Sequence, residues 1–251
     1  MTIYGGDELE GLRRIGRLIG ESFDVLSAEV RPGISTGELD RVAAEFFTSR
    51  GAQSGPILTY DYPGFICISV GDQVVHGIPG SRVLAEGDLV TLDVAAELDG
   101  FHADAATTVP VGSVSPQASR IQAGTRAALG AGLRAAQPGA RLGDIGIAVE
   151  RVANTRGFSV FKELVGHGIG RSMHEEPTVF NFDSEDPQAD QRLEPGMVFT
   201  IEPMLGAGSD QLRMGADGWT LSTADGKLSA HEEHTIVVCE GGPEILTARP
   251  S

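Results

Sequence analysis

The sequence predicts a mixed α/β fold made of two related halves packed about a pseudo-twofold axis. Three observations carry this expectation. An ungapped internal repeat recurs at an offset of 106 residues. Each copy combines helical periodicity with β-type apolar runs. The chain has 251 residues, 41% of them hydrophobic and 22% charged, which is enough to bury a sizeable core.

The elements follow in order. A helical pattern runs roughly from Asp7 to Val30. Pro32-Gly-Ile-Ser-Thr-Gly37-Glu-Leu-Asp40 then opens a second helix that ends at Arg50-Gly51. Glu38 sits early in it, where the helix dipole favours an acid, and Gly51 suits a C-terminal stop. Ser35 lies in a Gly-x-Ser-x-Gly pattern, but no strand precedes it. It reads as helix-start chemistry, not as a nucleophile. Leu84 to Asp93 is a β-type apolar run after a glycine-containing turn, and it ends in a carboxylate. Asp104 precedes a second β-rich stretch, Ala105 to Val111.

The second copy repeats this order. A helical pattern from about Pro116 to Ala136 leads to Pro138-Gly-Ala-Arg-Leu-Gly143-Asp-Ile-Gly146 and a helix ending at Arg156-Gly157. Asp144 takes the place of Glu38, and Arg141 the place of Ser35. Leu193 to Glu202 matches Leu84 to Asp93, and Glu233 before His234 to Val238 matches Asp104. His76-Gly77-Ile78 has its counterpart in His167-Gly168-Ile169. The most polar loop is Asn181 to Arg192.

Charge narrows the function classes. Lys plus Arg total 19 against 35 Asp plus Glu, a formal charge of −16. That argues against nucleic acid as a substrate and against a polybasic membrane surface. Two cysteines, Cys67 and Cys239, are too few for a disulfide scaffold and fit a reducing compartment. No apolar run is long enough for a membrane span. The acidic stretch Met1 to Glu10 lacks the features of a signal peptide. A cytoplasmic protein is the expectation.

A duplicated fold explains the paired glycines and apolar positions without any function. It does not explain why Asp93, Asp104, Glu202 and Glu233 stand at or beside apolar strands. Buried acids are usually paired or bound to metal, and four ionised carboxylates cannot share a pocket without cations. With His167 they form an oxygen-rich set bearing one imidazole, which suits Mn, Fe, Co or Zn. Two such ions close together can hold a bridging water, lower its pKa and polarise a carbonyl.

Several motifs then point the same way. They are Phe65-Ile-Cys67-Ile-Ser69, His76-Gly-Ile-Pro79, Leu92-Asp93-Val94, Gly100-Phe-His-Ala-Asp104 and Gly166-His167-Gly-Ile-Gly170. Met173-His174-Glu-Glu-Pro177, Phe199-Thr-Ile-Glu202-Pro203-Met204 and Glu233-His234-Thr-Ile-Val-Val238 complete the set. From the first helix to Val238 the chain resembles type I methionine aminopeptidase. The resemblance implies the pita-bread fold: two pseudo-symmetric halves with a central antiparallel sheet, helices outside and a dinuclear metal site at the centre. It implies one catalytic domain, 1–251, with pseudo-repeats roughly 7–111 and 116–240.

The implied activity is removal of the N-terminal methionine from nascent proteins when the second residue is small, by attack of a metal-bridging hydroxide on the scissile carbonyl. Asp93, Asp104, His167, Glu202 and Glu233 are the implied ligands of two divalent ions (Co, Mn, Fe or Zn), with Asp104 and Glu233 bridging. His76 is expected to contact the scissile nitrogen or shuttle a proton, and His174 to stabilise the tetrahedral intermediate. Glu202 is the expected general base. Tyr62, Phe65, Cys67, Met173 and Trp219 are expected to surround the methionine side chain.

The chain departs from the family pattern in three places. Met173 stands where an aromatic residue is common, Thr59 where a tyrosine is frequent, and His231-Glu232 where a polar residue usually precedes an aromatic one. Glu232, beside a ligand, is expected to affect metal affinity. The implied partners are nascent N-termini, with the enzyme a monomer touching the ribosome transiently, without a nucleic-acid substrate or a membrane. Two rival readings are a proline-specific peptidase of the same fold and a metal-free binding module. The short chain and the Glu233-His-Thr context oppose the first, and the complete ligand set opposes the second.

Overall fold

The computed structural model describes residues 2–3 and 5–249. Met1, Pro250 and Ser251, at the ends of the expected 1–251 unit, lie outside the described residues, as does Tyr4. The first half contains α1 (Gly6–Glu29), α2 (Thr36–Thr48), β1 (Gln53–Ser54), α3 (Gly55–Tyr60), β2 (Cys67–Val70), β3 (Gln73–Val75), β4 (Leu89–Leu98) and β5 (Phe101–Pro110). The second opens with α4 (Pro116–Ala135) and α5 (Leu142–Arg156), then β6 (Ser159–Val160), β7 (Gly166–Gly168) and β8 (Glu175–Val179). After a 3-10 turn at Pro187–Asp190 come β9 (Val198–Ile201), β10 (Met204–Gly206), β11 (Leu212–Met214), β12 (Leu221–Thr223), β13 (Ser229–His231), β14 (His234–Cys239) and β15 (Gly242–Ile245).

α1 is helical because its apolar residues recur every three or four positions. Leu12, Ile15, Ile19, Phe23 and Leu26 are buried, and the helix lies on β4 and β5. Gly16 and Gly20 let the segment at Leu246 and Ala248 run directly against it, since a Cβ at either would strike a backbone carbonyl. α2 begins with a capping box: the Ser35 hydroxyl accepts from the Glu38 amide at 3.2 Å, and Glu38 Oε2 accepts from the Ser35 amide at 2.9 Å. α5 keeps half of that device. Asp144 accepts from the Arg141 amide at 2.9 Å, and its other oxygen pairs with the Arg141 guanidinium at 2.9 Å. The serine-to-arginine change between copies thus exchanges a cap for an ion pair. α4 and α5 pack together over the second half.

All the registered strand pairs are antiparallel. The central layer is not one continuous sheet. Among the described residues it divides into a four-stranded sheet of the first half (β1, β2, β4, β5), a five-stranded sheet of the second (β15-β14-β9-β7-β8) and two three-stranded sheets. Some sequence boundaries move as well. Leu84 to Asp88 is a turn, with Gly87 at a φ of +94° and the Ala85 amide donating to Asp88 at 2.9 Å, so β4 starts only at Leu89. Asp104 lies inside β5, not before it.

Side-chain hydroxyls join the two halves. The Asp104 amide donates to Thr235 Oγ1 at 2.9 Å, and that hydroxyl donates back to the Asp104 carbonyl at 2.7 Å. Thr108 Oγ1 does the same for His231, accepting from its amide at 2.9 Å and donating to its carbonyl at 2.8 Å. The Glu233 amide donates to the Ala106 carbonyl at 2.9 Å. Thr235→Val keeps the shape but strands the buried amide and carbonyl of Asp104. It is expected to lower the unfolding free energy by about 2 kcal/mol. Urea titration checks this, with a change below a few tenths of a kcal/mol showing that the hydroxyl is dispensable.

Candidate metal centre

Strand register brings the acids together. In the β4–β5 pair, Asp93 faces Ala106 and Asp104 faces Ala95. The two aspartates are therefore diagonal neighbours on one face of the sheet. In the second half the last β9–β14 partners are Ile201 and His234. Glu202 and Glu233 come just beyond that pair, at the matching end of the second sheet.

His167 occupies the middle of β7. The glycines on either side are required by close approach: a Cβ at Gly166 would lie 2.7 Å from the Thr200 carbonyl, and one at Gly168 would strike the backbone of Glu176. The His167 amide donates to Thr200 Oγ1 at 3.0 Å, and the same hydroxyl donates to Glu202 Oε1 at 2.6 Å. His167 Nδ1 is 2.9 Å from the Gly168 carbonyl. A carbonyl only accepts, so Nδ1 carries the proton and the Nε2 lone pair faces the acids. Nε2 lies 3.5 Å from Glu202 Oε1.

Ligand-type atoms of Asp104, His167 and Glu233 fall within 4.8 Å of one another, and so do those of Glu202, His231 and Glu233. Asp93 meets the cluster through Asp104, at hydrogen-bond range. Asp104, Glu202 and Glu233 are buried, and Asp93 opens partly onto a cavity of about 440 Å³. Asp104 Oδ1 and Glu233 Oε1 have no hydrogen-bond partner.

Burial, then the charge of Asp104 and of Glu202, pushes Asp93 far above the ordinary carboxylate range. Burial raises Asp104 to about 7, against the hydrogen bond from Asp93. Glu202 is raised by burial despite its bond to Thr200, and Glu233 by burial and by all three neighbouring acids. Burial lowers His167 to about 3, so its ring is neutral. Orphaned carboxylate oxygens, a neutral imidazole and compressed negative charge fit divalent cations.

The remaining candidates line the same cavity, with one exception. His76 holds a φ of +57°, a conformation uncommon outside glycine, at the turn after β3. The His174 ring lies 4.0 Å from that of His167. The Tyr62 hydroxyl donates to the Gly77 carbonyl at 2.7 Å, and its ring meets Trp219 edge-on at 5.2 Å. Asp217 holds the Trp219 turn by accepting from the amides of Trp219 and Thr220, both at 2.9 Å. Cys67 and Met173 complete this wall. Phe65 does not line the cavity. β2 begins only at Cys67, so strand alternation does not extend to Phe65, whose ring stacks on Phe47 in the core at 5.8 Å.

Glu232 also departs from expectation. Its carboxylate pairs with Arg126 at 2.9 Å and accepts from the Thr108 amide at 3.3 Å. It lines a separate cleft with Arg126 and His234, so a direct effect on the metal cluster is not supported. Among the lining residues not singled out for the site are Tyr60 and His231. Tyr60, next to Thr59, places its hydroxyl 2.7 Å from His174 Nδ1. His231, two residues before Glu233, lines it beside that acid.

The model of metallopeptidase family M24 matches residues 10–240. The chain is 45% identical over 241 residues to a methionine aminopeptidase of Clostridium perfringens (strain 13 / Type A), covering 96% of each chain. It superposes on the crystal structure of methionine aminopeptidase from Rickettsia prowazekii with a TM-score of 0.94 and 37% identity, covering 98% of this chain and 100% of that one. A prolidase from Pyrococcus furiosus shares the fold, with a TM-score of 0.81, at 21% identity, and this chain spans 66% of its length.

A divalent ion reaching these acids must displace protons. Their pKa values are raised, so at pH 7 the cluster holds protons that free carboxylates would have lost, and ion affinity is expected to rise with pH from about 6 to 8. Calorimetric titration of the metal-stripped protein in buffers of different ionisation heat should show net proton release at pH 7. Binding without proton exchange would contradict the raised values.

Proposed function

The chain belongs to metallopeptidase family M24, and on that premise we propose that it is a methionyl aminopeptidase, removing the N-terminal methionine of nascent proteins when the second residue is small. One observation carries the reading: buried acids and an imidazole converge on a cavity whose wall is sulfur and aromatic. Asp93, Asp104, His167, Glu202 and Glu233 would hold two divalent ions, from among Co, Mn, Fe and Zn, with Asp104 and Glu233 shared between them. Bound there, such ions supply Lewis acidity and a water acidic enough to attack at neutral pH.

The side chains do the rest. The Thr200 hydroxyl engages Glu202 Oε1, which leaves Oε2 to take the proton of the attacking water as general base. His174 donates to the carbonyl oxygen as charge develops there. Tyr60, bonded to Nδ1 at 2.7 Å, orients that ring. His76 meets the scissile nitrogen and passes a proton to it. Tyr62, Cys67, Met173 and Trp219 receive the thioether side chain, which soft and aromatic surfaces suit. Met173 is less bulky in width than an aromatic ring and can adapt its shape to the substrate.

The same reading treats 1–251 as one catalytic unit with repeats roughly 7–111 and 116–240, working as a cytoplasmic monomer on nascent chains with only transient ribosome contact. The charge of −16 opposes close approach to ribosomal RNA, which fits only transient contact and no nucleic-acid substrate. No helix of the described residues is long and apolar enough to cross a membrane.

Protein loaded with Co, Mn or Fe should cleave Met-Ala-Ser peptides and leave Xaa-Pro peptides intact. Absence of cleavage with every divalent ion tried would overturn the proposal, and a preference for Xaa-Pro would move it to the proline-specific branch. His76→Ala and Glu202→Ala should each reduce kcat by about 10²- to 10⁴-fold. Unchanged kcat in both would remove these residues from the chemistry.

A further inference from the structure

The imidazole of His231 has no role in the site as assigned above, yet it is placed like a ligand. The residue is 2% exposed, and neither Nδ1 nor Nε2 has a hydrogen-bond partner. Buried polar atoms are almost always satisfied, so two orphaned nitrogens on one ring call for a physical reason. The backbone that carries the ring is held in place. β13 pairs His231 with Met204, and Thr108 Oγ1 holds both its amide, at 2.9 Å, and its carbonyl, at 2.8 Å.

The ring lines the cavity beside two acids. Ligand-type atoms of Glu202, His231 and Glu233 lie within 4.8 Å of one another, and all three residues are buried. His231 Nε2 is 3.7 Å from Glu233 Oε2. That gap is too long for a hydrogen bond. An ion about 2.1 Å from each atom would fit between them.

We propose that His231 is a further ligand of this centre, donating beside Glu202 and Glu233, so that the two ions would have two imidazoles between them and not one. This rests on the metal-centre reading of the preceding section and adds a donor to it. Glu233 also belongs to the group of Asp104 and His167, which fits a shared carboxylate. The chemical consequence is a change in ion preference. A second imidazole favours Co, Fe and Zn over Mn, which carboxylates suit better.

Cobalt reports the ligands directly. The metal-stripped full chain, titrated with Co(II) and followed by ¹H NMR, should develop two sets of paramagnetically shifted imidazole ring protons. His231→Gln should lose one set and keep the other, and His167→Gln should lose the complementary set. Calorimetry on His231→Gln should show affinity for one Co(II) equivalent falling at least about ten-fold, since even partners behind a ligand commonly cost that much. Its Mn(II) affinity should fall less. Equal melting temperatures of the metal-free proteins would tie these losses to the ligand and not to folding. A single imidazole set in the wild type needs no variant to overturn the inference, and two unchanged sets in a folded His231→Gln would do the same. Failure of the wild type to bind Co(II) at all would sink the metal centre, and this inference with it. Binding through one imidazole would sink only the inference.

Discussion

Like charges forced together in a low-dielectric interior are the constraint on which this structure turns. Asp93, Asp104, Glu202 and Glu233 repel one another, and burial denies them water. A flexible frame would relieve that stress by letting them move apart. Here each acid is fixed by its place on or beside a strand, and the strands are locked across the two halves through Thr235, Thr108 and Ala106. The scaffold holds a geometry that its own charges oppose, and the opposition is what makes the centre attract cations.

The two halves are related but have diverged in how they support the centre. Asp40 in α2 accepts from the amides of Phe65 and Ile66, at 2.8 and 2.9 Å, and so anchors the segment leading to Cys67. Its repeat partner is Gly146, where the chain around Phe180 and Phe182 comes so close that a Cβ would strike its backbone. One copy uses a carboxylate to steady a loop, and the other uses the absence of a side chain to admit one. The first arrangement holds the segment that leads into β2. The second lets the segment leading from His167 pack against the outer helix.

Much of this was legible in the sequence because it was written twice. The repeat exposed the two-half architecture, and acids within apolar strand segments exposed the cluster. What escaped was decided by where strands begin and which way side chains turn. Phe65 is expected in the wall with Cys67, but β2 starts two residues too late to carry both on one face. Glu232 stands next to a ligand in sequence, but its carboxylate turns to Arg126. Tyr60 was missed because its contact with His174 joins residues 114 apart, which no local pattern records.

The bond between Asp104 and Thr235 spans 131 residues of chain. Long-range contacts of this kind raise the contact order of the fold, which slows folding. The first half reaches this junction holding two mutually repelling aspartates and lacking the imidazole and glutamates of the second. Assembly of the cluster is in this sense a checkpoint: it completes only when the whole chain has docked. Neither half alone carries the full set, so a chain cut anywhere between Asp104 and Glu202 leaves two fragments that each hold only part of the cluster.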